Sequence, residues 1–295
     1  MDQRSSAGGG PGPATDPTSS LGTWREVADQ VHVCVAEPDA VTLGLVVGTT
    51  GALLVDTGSS PRQGRQLRAS VGRLTDVPLT TVVLTHGHRD HLFGLSAFDD
   101  LETVGHESLR ARLGRAETLA EAAGRGLAPH DLRAPRREIA VAAALDLGER
   151  RVEVAHLGAG HTEGDLVVVV PDADLLFVGD LVESAGPPWF GPDSLPHEWA
   201  ATLDGVIGLM TDRSRAVPGH GDVVDREFVF EARGRIAAVS GELIHLVESG
   251  VAEADALEAG SWPYPAEHIR GGIAPGYAAL AGRALKGTRP TLPLA

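Results

Sequence analysis

Short apolar runs alternate with Gly, Pro and Asp breaks along most of the chain, and most of these runs are too short for helices. Strands are expected as a pair within 23–36, then at 41–47 and 52–55, with a Gly-Thr-Thr-Gly turn between the last two. A helix is expected over 61–74, opened by Pro61, a residue favoured in a first helical turn. Further strands are expected at 82–84, about 102–105, 151–156, 165–170, 174–179 and 216–217. The stretch 107–127, rich in Ala, Arg, Leu and Glu, reads as helix until Pro129 and Pro135 break it. Residues 183–192 hold too much Gly and Pro for regular structure. Helices return at 199–210, 228–249, 253–257 and about 275–285, with Trp262-Pro263-Tyr264-Pro265 as a rigid connector.

Composition bounds what such a chain can do. It has 295 residues, 42% of them hydrophobic, enough for a substantial core. The formal net charge of -15 argues against a nucleic-acid partner, which needs a basic face. The single cysteine, Cys34, rules out an intramolecular disulfide, and its valine neighbours place it on a buried strand. No apolar run is long enough for a membrane span. The first 20 residues are rich in Gly, Pro, Ser and Thr and lack the apolar stretch of a secretory signal. A disordered tail over 1–20 and a cytoplasmic setting are therefore expected.

The chemistry is concentrated at 81–91, Thr-Val-Val-Leu-Thr-His-Gly-His-Arg-Asp-His. A short buried strand leads into His86, His88, Asp90 and His91. Residues two apart on extended chain point the same way, so His86 and His88 can converge on one point. After a turn, Asp90 and His91 can face a second point nearby. These donor types suit zinc, and also iron or manganese. Neither a Ser/His/Asp or Cys/His arrangement nor a phosphate-binding loop competes with this stretch. His32, His106 and His130 lack such a setting and read as structural or surface residues.

His-Gly-His-Arg-Asp-His resembles the His-x-His-x-Asp-His signature of the metallo-β-lactamase-fold hydrolases. Four further motifs follow the family order: Asp56 in Leu-Leu-Val-Asp-Thr-Gly, His161 in Gly-Ala-Gly-His-Thr-Glu-Gly-Asp, Asp180 in Leu-Leu-Phe-Val-Gly-Asp and His220 in Val-Pro-Gly-His-Gly. The resemblance spans about residues 25 to 221. It implies an α/β fold: an αββα sandwich of two mixed β-sheets flanked by helices, with the metals at one edge. The implied division is a metallo-β-lactamase-like domain over 21–221 and a C-terminal helical extension over 222–295. His86, His88 and His161 would hold one metal, Asp90, His91 and His220 the other, and Asp180 would bridge them. Asp56 would orient the ligands from behind.

The resemblance also implies chemistry. Two divalent ions, zinc foremost, would produce a metal-bound hydroxide, with Asp90 and Asp180 as the catalytic carboxylates. Asp180 stands where several β-lactamases differ, which brings the pattern nearest to glyoxalase II-like hydrolases. The substrate is then expected to be a small molecule with an activated acyl bond, a thioester or similar ester. A lactonase or β-lactamase-like hydrolase is one alternative, and a mononuclear iron persulfide dioxygenase is another. Trp189 and Phe190, just beyond Asp180, are candidates for a substrate wall; packing beneath a loop is the competing reading.

Overall fold

Val41–Val47 and Ala52–Val55 are buried along their whole length. Continuous apolar strands of this kind need cover on both faces, and a two-layer sandwich provides it. The computed structural model describes residues 19–286, so the expected tail lies almost wholly outside the described residues. Among them, 14 strands form one hydrogen-bonded sheet, ten of them in a single path, that folds over as two layers. The two halves meet at a single residue pair, His220 opposite Val41.

The first half runs from Arg137–Ile139 through Glu102–His106, Leu79–Val83 and Ala52–Val55 to Val41–Val47 and Val31–Glu37. The second runs from Arg215–His220 through Leu175–Glu183, Val167–Val170 and Arg151–Ala155 to Ala142–Asp146. Both halves mix parallel and antiparallel pairs. The helix Pro61–Leu74 supplies the crossover between the parallel strands Ala52–Val55 and Leu79–Val83. Ser60 caps that helix by accepting from the Gln63 amide at 3.2 Å.

Three apolar layers result. Val33, Val55, Val83, Val154, Val168 and Phe177 meet between the sheets. Leu67, Val71, Leu84 and Phe98 join the first sheet to its outer helices. Trp199, Leu203, Ile236 and Ile273 do the same for the second. The sheets come close where Gly44 faces Phe177; a Cβ on Gly44 would lie 2.2 Å from that ring. Burying a side chain of this size stabilises the sandwich by roughly 1.5–3 kcal/mol.

Most expected elements occur, with ends within about three residues. The larger departures are these. The strand expected to stop at Asp180 runs on to Glu183, because its parallel neighbour Arg215–His220 continues to pair with it. The stretch 107–127 forms two helices, Ser108–Leu113 and Ala116–Gly124. Arg137–Ile139 and Ala142–Asp146 are additional strands. The last helix is Ala266–Lys286, with Pro275 inside it. Its small residues explain the continuity. Gly272 lies on Phe190 and Gly276 on Leu243, while Ile269 and Ile273 are buried, so packing on both sides of Pro275 carries the helix past it.

Candidate metal centre

The strand Leu79–Val83 ends just before the His-rich stretch, and His88 becomes the residue preceding the short helix Arg89–Leu92. This change of direction separates two sets of donors. His86 Nε2 lies 3.1 Å from His88 Nδ1, and His161 Nε2 lies 2.7 Å from the same atom. Asp180 Oδ2 faces this group at 3.6 Å from His86 Nε2 and 3.4 Å from His161 Nε2. The second group joins His220 Nε2 to Asp90 Oδ2 at 3.2 Å, and His91 Nε2 to Asp180 Oδ1 at 3.2 Å. Asp180 Oδ2 is also 3.6 Å from His220 Nε2, so one carboxylate touches both groups. Within each group the donor atoms lie within 4.8 Å of one another.

The hydrogen bonds behind the rings fit them for cations. Asp56 takes the Nδ1 proton of His91 at 2.8 Å, which turns Nε2 toward Asp180 Oδ1. That nitrogen and that oxygen are both buried and have no hydrogen-bond partner. Two acceptors 3.2 Å apart repel unless a proton or metal ion lies between them. His88 gives its Nε2 proton to Asp193 Oδ2 at 3.2 Å, which turns Nδ1 toward His86 and His161. The donor set therefore fits divalent metal ions, as the residue types suggested.

Local backbone makes these placements possible. Asp56 adopts φ of 64°, a left-handed conformation that Asp tolerates, and accepts from Thr85 N at 2.7 Å and Thr85 Oγ1 at 2.8 Å. Gly219 leaves the space that Asp180 fills: a Cβ there would stand 1.8 Å from Asp180 Oδ1. Asp165 is buried and accepts from Thr162 N and Oγ1 at 2.9 and 2.7 Å, fixing the loop that carries His161. It shapes the loop, and burial pushes its carboxyl up to about 7.

In the metal-free protein the two groups carry opposite electrostatics. Burial pushes the His86 imidazole well below its usual value, with His91 adding to the effect. Burial, and then His88, lower His161 to about 3. At His91 burial opposes charge, but Asp180, Asp56 and Asp90 outweigh it and raise the imidazole well above its usual value. At His220 burial is likewise outweighed by Asp90 and Asp180, which raise it to about 9.

All seven expected ligands come together, with Asp56 behind His91. The two candidate wall aromatics separate. Trp189 is 49% exposed and lines the cavity over the donors, whose volume is about 620 Å³. Phe190 is fully buried beneath it, 4.8 Å from the Trp199 ring, so it serves packing and not the cavity wall. Three residues of the site went unread in the sequence. Asp193, held by Arg112 as well as His88, lies in a Gly-Pro-Asp loop 105 positions from His88. Arg112 also donates to the Gly87 carbonyl at 2.7 Å. Glu183 reaches the cavity from the end of its strand. Only the need of His88 for a partner behind it pointed to Asp193, and that need does not say where the partner lies.

A family model described as the metallo-beta-lactamase superfamily matches residues 36–220. The chain is 30% identical over 187 residues to the "Metallo-beta-lactamase type 2" of Bacillus cereus, covering 62% of this chain and 68% of that protein. It is 28% identical over 178 residues to the "2,4-dinitroanisole O-demethylase subunit alpha" of Nocardioides sp. (strain JS1661), covering 59% and 51%. The metallo-beta-lactamase from Pontibacter korlensis superposes with a TM-score of 0.58 at 21% identity, over 74% of this chain and 99% of that one. DIM-1 metallo-beta-lactamase does so with a TM-score of 0.59 at 19% identity, over 75% and 98%. These likenesses establish the fold.

Proposed function

We propose the following reading for this chain, which belongs to the metallo-beta-lactamase superfamily and is a metal-dependent hydrolase of that family. It binds two divalent ions, zinc foremost with iron or manganese as alternatives, and opens an activated acyl bond, a thioester or reactive ester. The observation that carries the reading is the Asp180 carboxylate, whose two oxygens contact two separate groups of donors. His86, His88 and His161 would hold one ion, and Asp90, His91 and His220 the other, with Asp180 between them. When bound, such ions acidify water to supply a nucleophile and stabilise the negative charge that develops on the substrate oxygen.

The protein's own groups do the rest. Asp56 and Asp193 fix the tautomers and ring directions of His91 and His88. Asp90 and Asp180 both face the cavity, where they can orient the attacking water and receive its proton. Trp189 covers one side and limits the water around the reacting bond.

A second reading, hydrolysis of a cyclic amide or ester such as a β-lactam or lactone, is favoured by the relative named as a metallo-beta-lactamase. The mononuclear iron dioxygenase reading is weakened by the second donor group, which that chemistry does not need. The distinguishing experiment assays acyl thioesters, lactones and β-lactams with the wild type and His88→Ala. Thioester cleavage that disappears in the variant is expected. Efficient lactone or β-lactam opening without thioester cleavage would keep the metal hydrolase and discard the thioester; activity that survives the substitution would not belong to this site.

A further inference from the structure

Among the described residues, the arginines around the cavity over the donors leave no guanidinium free for an incoming anion. Three arginines line it, and all are engaged. Arg89 Nη2 lies 2.6 Å from Asp39 Oδ1. Arg112 holds Asp193 and the Gly87 carbonyl. Arg115 Nη2 lies 2.5 Å from Glu163 Oε1.

The opposite wall is different. Glu183 is half-buried at the end of the strand that carries Asp180. Its Oε1 accepts from the Trp189 amide at 3.2 Å. Its Oε2 has no protein donor among the described residues. Trp189 lines the same cavity, its side chain 49% exposed and its ring set edge-to-face on His268 with ring centres 6.0 Å apart.

Glu183 also lines a second groove of about 380 Å³, whose lining includes none of the donors. Tyr264 and Phe228 bound that groove, and its one arginine, Arg235, pairs with Glu231 at 3.5 Å. Glu183 thus stands on the partition between the two spaces. A carboxylate oxygen and a partly exposed indole on one cavity wall are the pairing that binds an ammonium group, by charge and by attraction to the ring. The same wall repels a carboxylate.

We infer that Glu183 and Trp189 form a specificity subsite that selects substrates bearing a positively charged substituent near the scissile bond and rejects those bearing a carboxylate there. The inference rests on the hydrolase reading above and names its substrate class.

The test uses three thioesters with one acyl group on zinc-loaded protein: S-acetylthiocholine (cationic), S-propyl thioacetate (neutral) and S-acetyl-3-mercaptopropionate (anionic). Wild type is expected to prefer the cationic over the anionic ester by about tenfold or more in kcat/KM, the scale of one desolvated charge contact. Glu183→Gln keeps an acceptor for the Trp189 amide and should remove most of that preference. Glu183→Lys should reverse it. Zinc content and Tm of both variants show whether each remains folded and loaded.

Calorimetric affinities of the free thiols thiocholine and 3-mercaptopropionate should rank and reverse in the same way. That arm still reads the subsite if none of the esters is cleaved, an outcome that would discard the thioester reading alone. The same ranking in wild type and both variants, or a wild-type preference for the anion that vanishes in Arg115→Ala, would overturn the inference.

Discussion

The two donor groups share one carboxylate and differ in almost everything else. His86, His88 and His161 form a nitrogen-rich group in which burial holds His86 and His161 unprotonated. Asp90, His91 and His220 form an acid-rich group whose carboxylates hold protons on the two imidazoles. Metal ions bind neutral imidazole, so the first group is ready for an ion near neutral pH, while the second must release protons first. In the proposed dinuclear centre, neighbouring charge, and not residue type, would set when each half loads.

Asp180 is where the groups join, and changing it should have the largest effect. Asp180→Asn keeps the shape of the side chain but removes its charge from both groups. Turnover should fall by at least about 10²–10³-fold, the scale of losing one charge-stabilising group in an active site. Zinc content should fall with it, mainly from the acid-rich group. Metal analysis and steady-state kinetics on one preparation test this; retention of both ions with full turnover would show that Asp180 does not join the groups.

Asp193→Ala should affect one group more than the other. Losing the acceptor behind His88 should weaken the nitrogen-rich group about 10–100-fold, as measured by competition with a chelator. Equal weakening of both groups would mean that Asp193 acts by holding the loop and not by orienting His88.

A smaller effect separates protons from metals. His220 in the metal-free protein is raised from 6.5 to about 9. A raised imidazole contributes stability that is fully present below 6.5 and is lost as pH climbs through about 9. The Tm of metal-free protein should therefore fall by several degrees between those values, and the fall should be much smaller after zinc loading. Parallel curves with and without zinc would contradict the proposed exchange of protons for metal in the acid-rich group.

The donors were legible in the sequence because metal chemistry restricts residue type and spacing together. His86, His88, Asp90 and His91 sit within six residues, and His161, Asp180 and His220 each sit in a short Gly-bearing motif. The sandwich followed from the motif order, and from strands such as 41–47 and 52–55 whose ends matched the structure. Contacts set only by tertiary packing were not legible. Phe190 and Trp189 are chain neighbours, yet one is fully buried and the other lines the cavity. Ala142–Asp146 carries too little apolar contrast, Ala-Ala-Ala-Leu-Asp, to read as a strand. The last helix was expected only from about 275, because the close seats of Gly272 and Gly276 that carry it past Pro275 cannot be read from one chain. Asp193 has no local motif, since it answers to a ring 105 positions away.

Titrating zinc into metal-free protein while following thioester turnover tests the dinuclear hydrolase most directly. Binding should reach two equivalents in two phases, the first less dependent on pH than the second, with turnover rising to its maximum as the second ion binds. Saturation at one equivalent, or a requirement for a single iron with oxygen consumption on a persulfide, would contradict it.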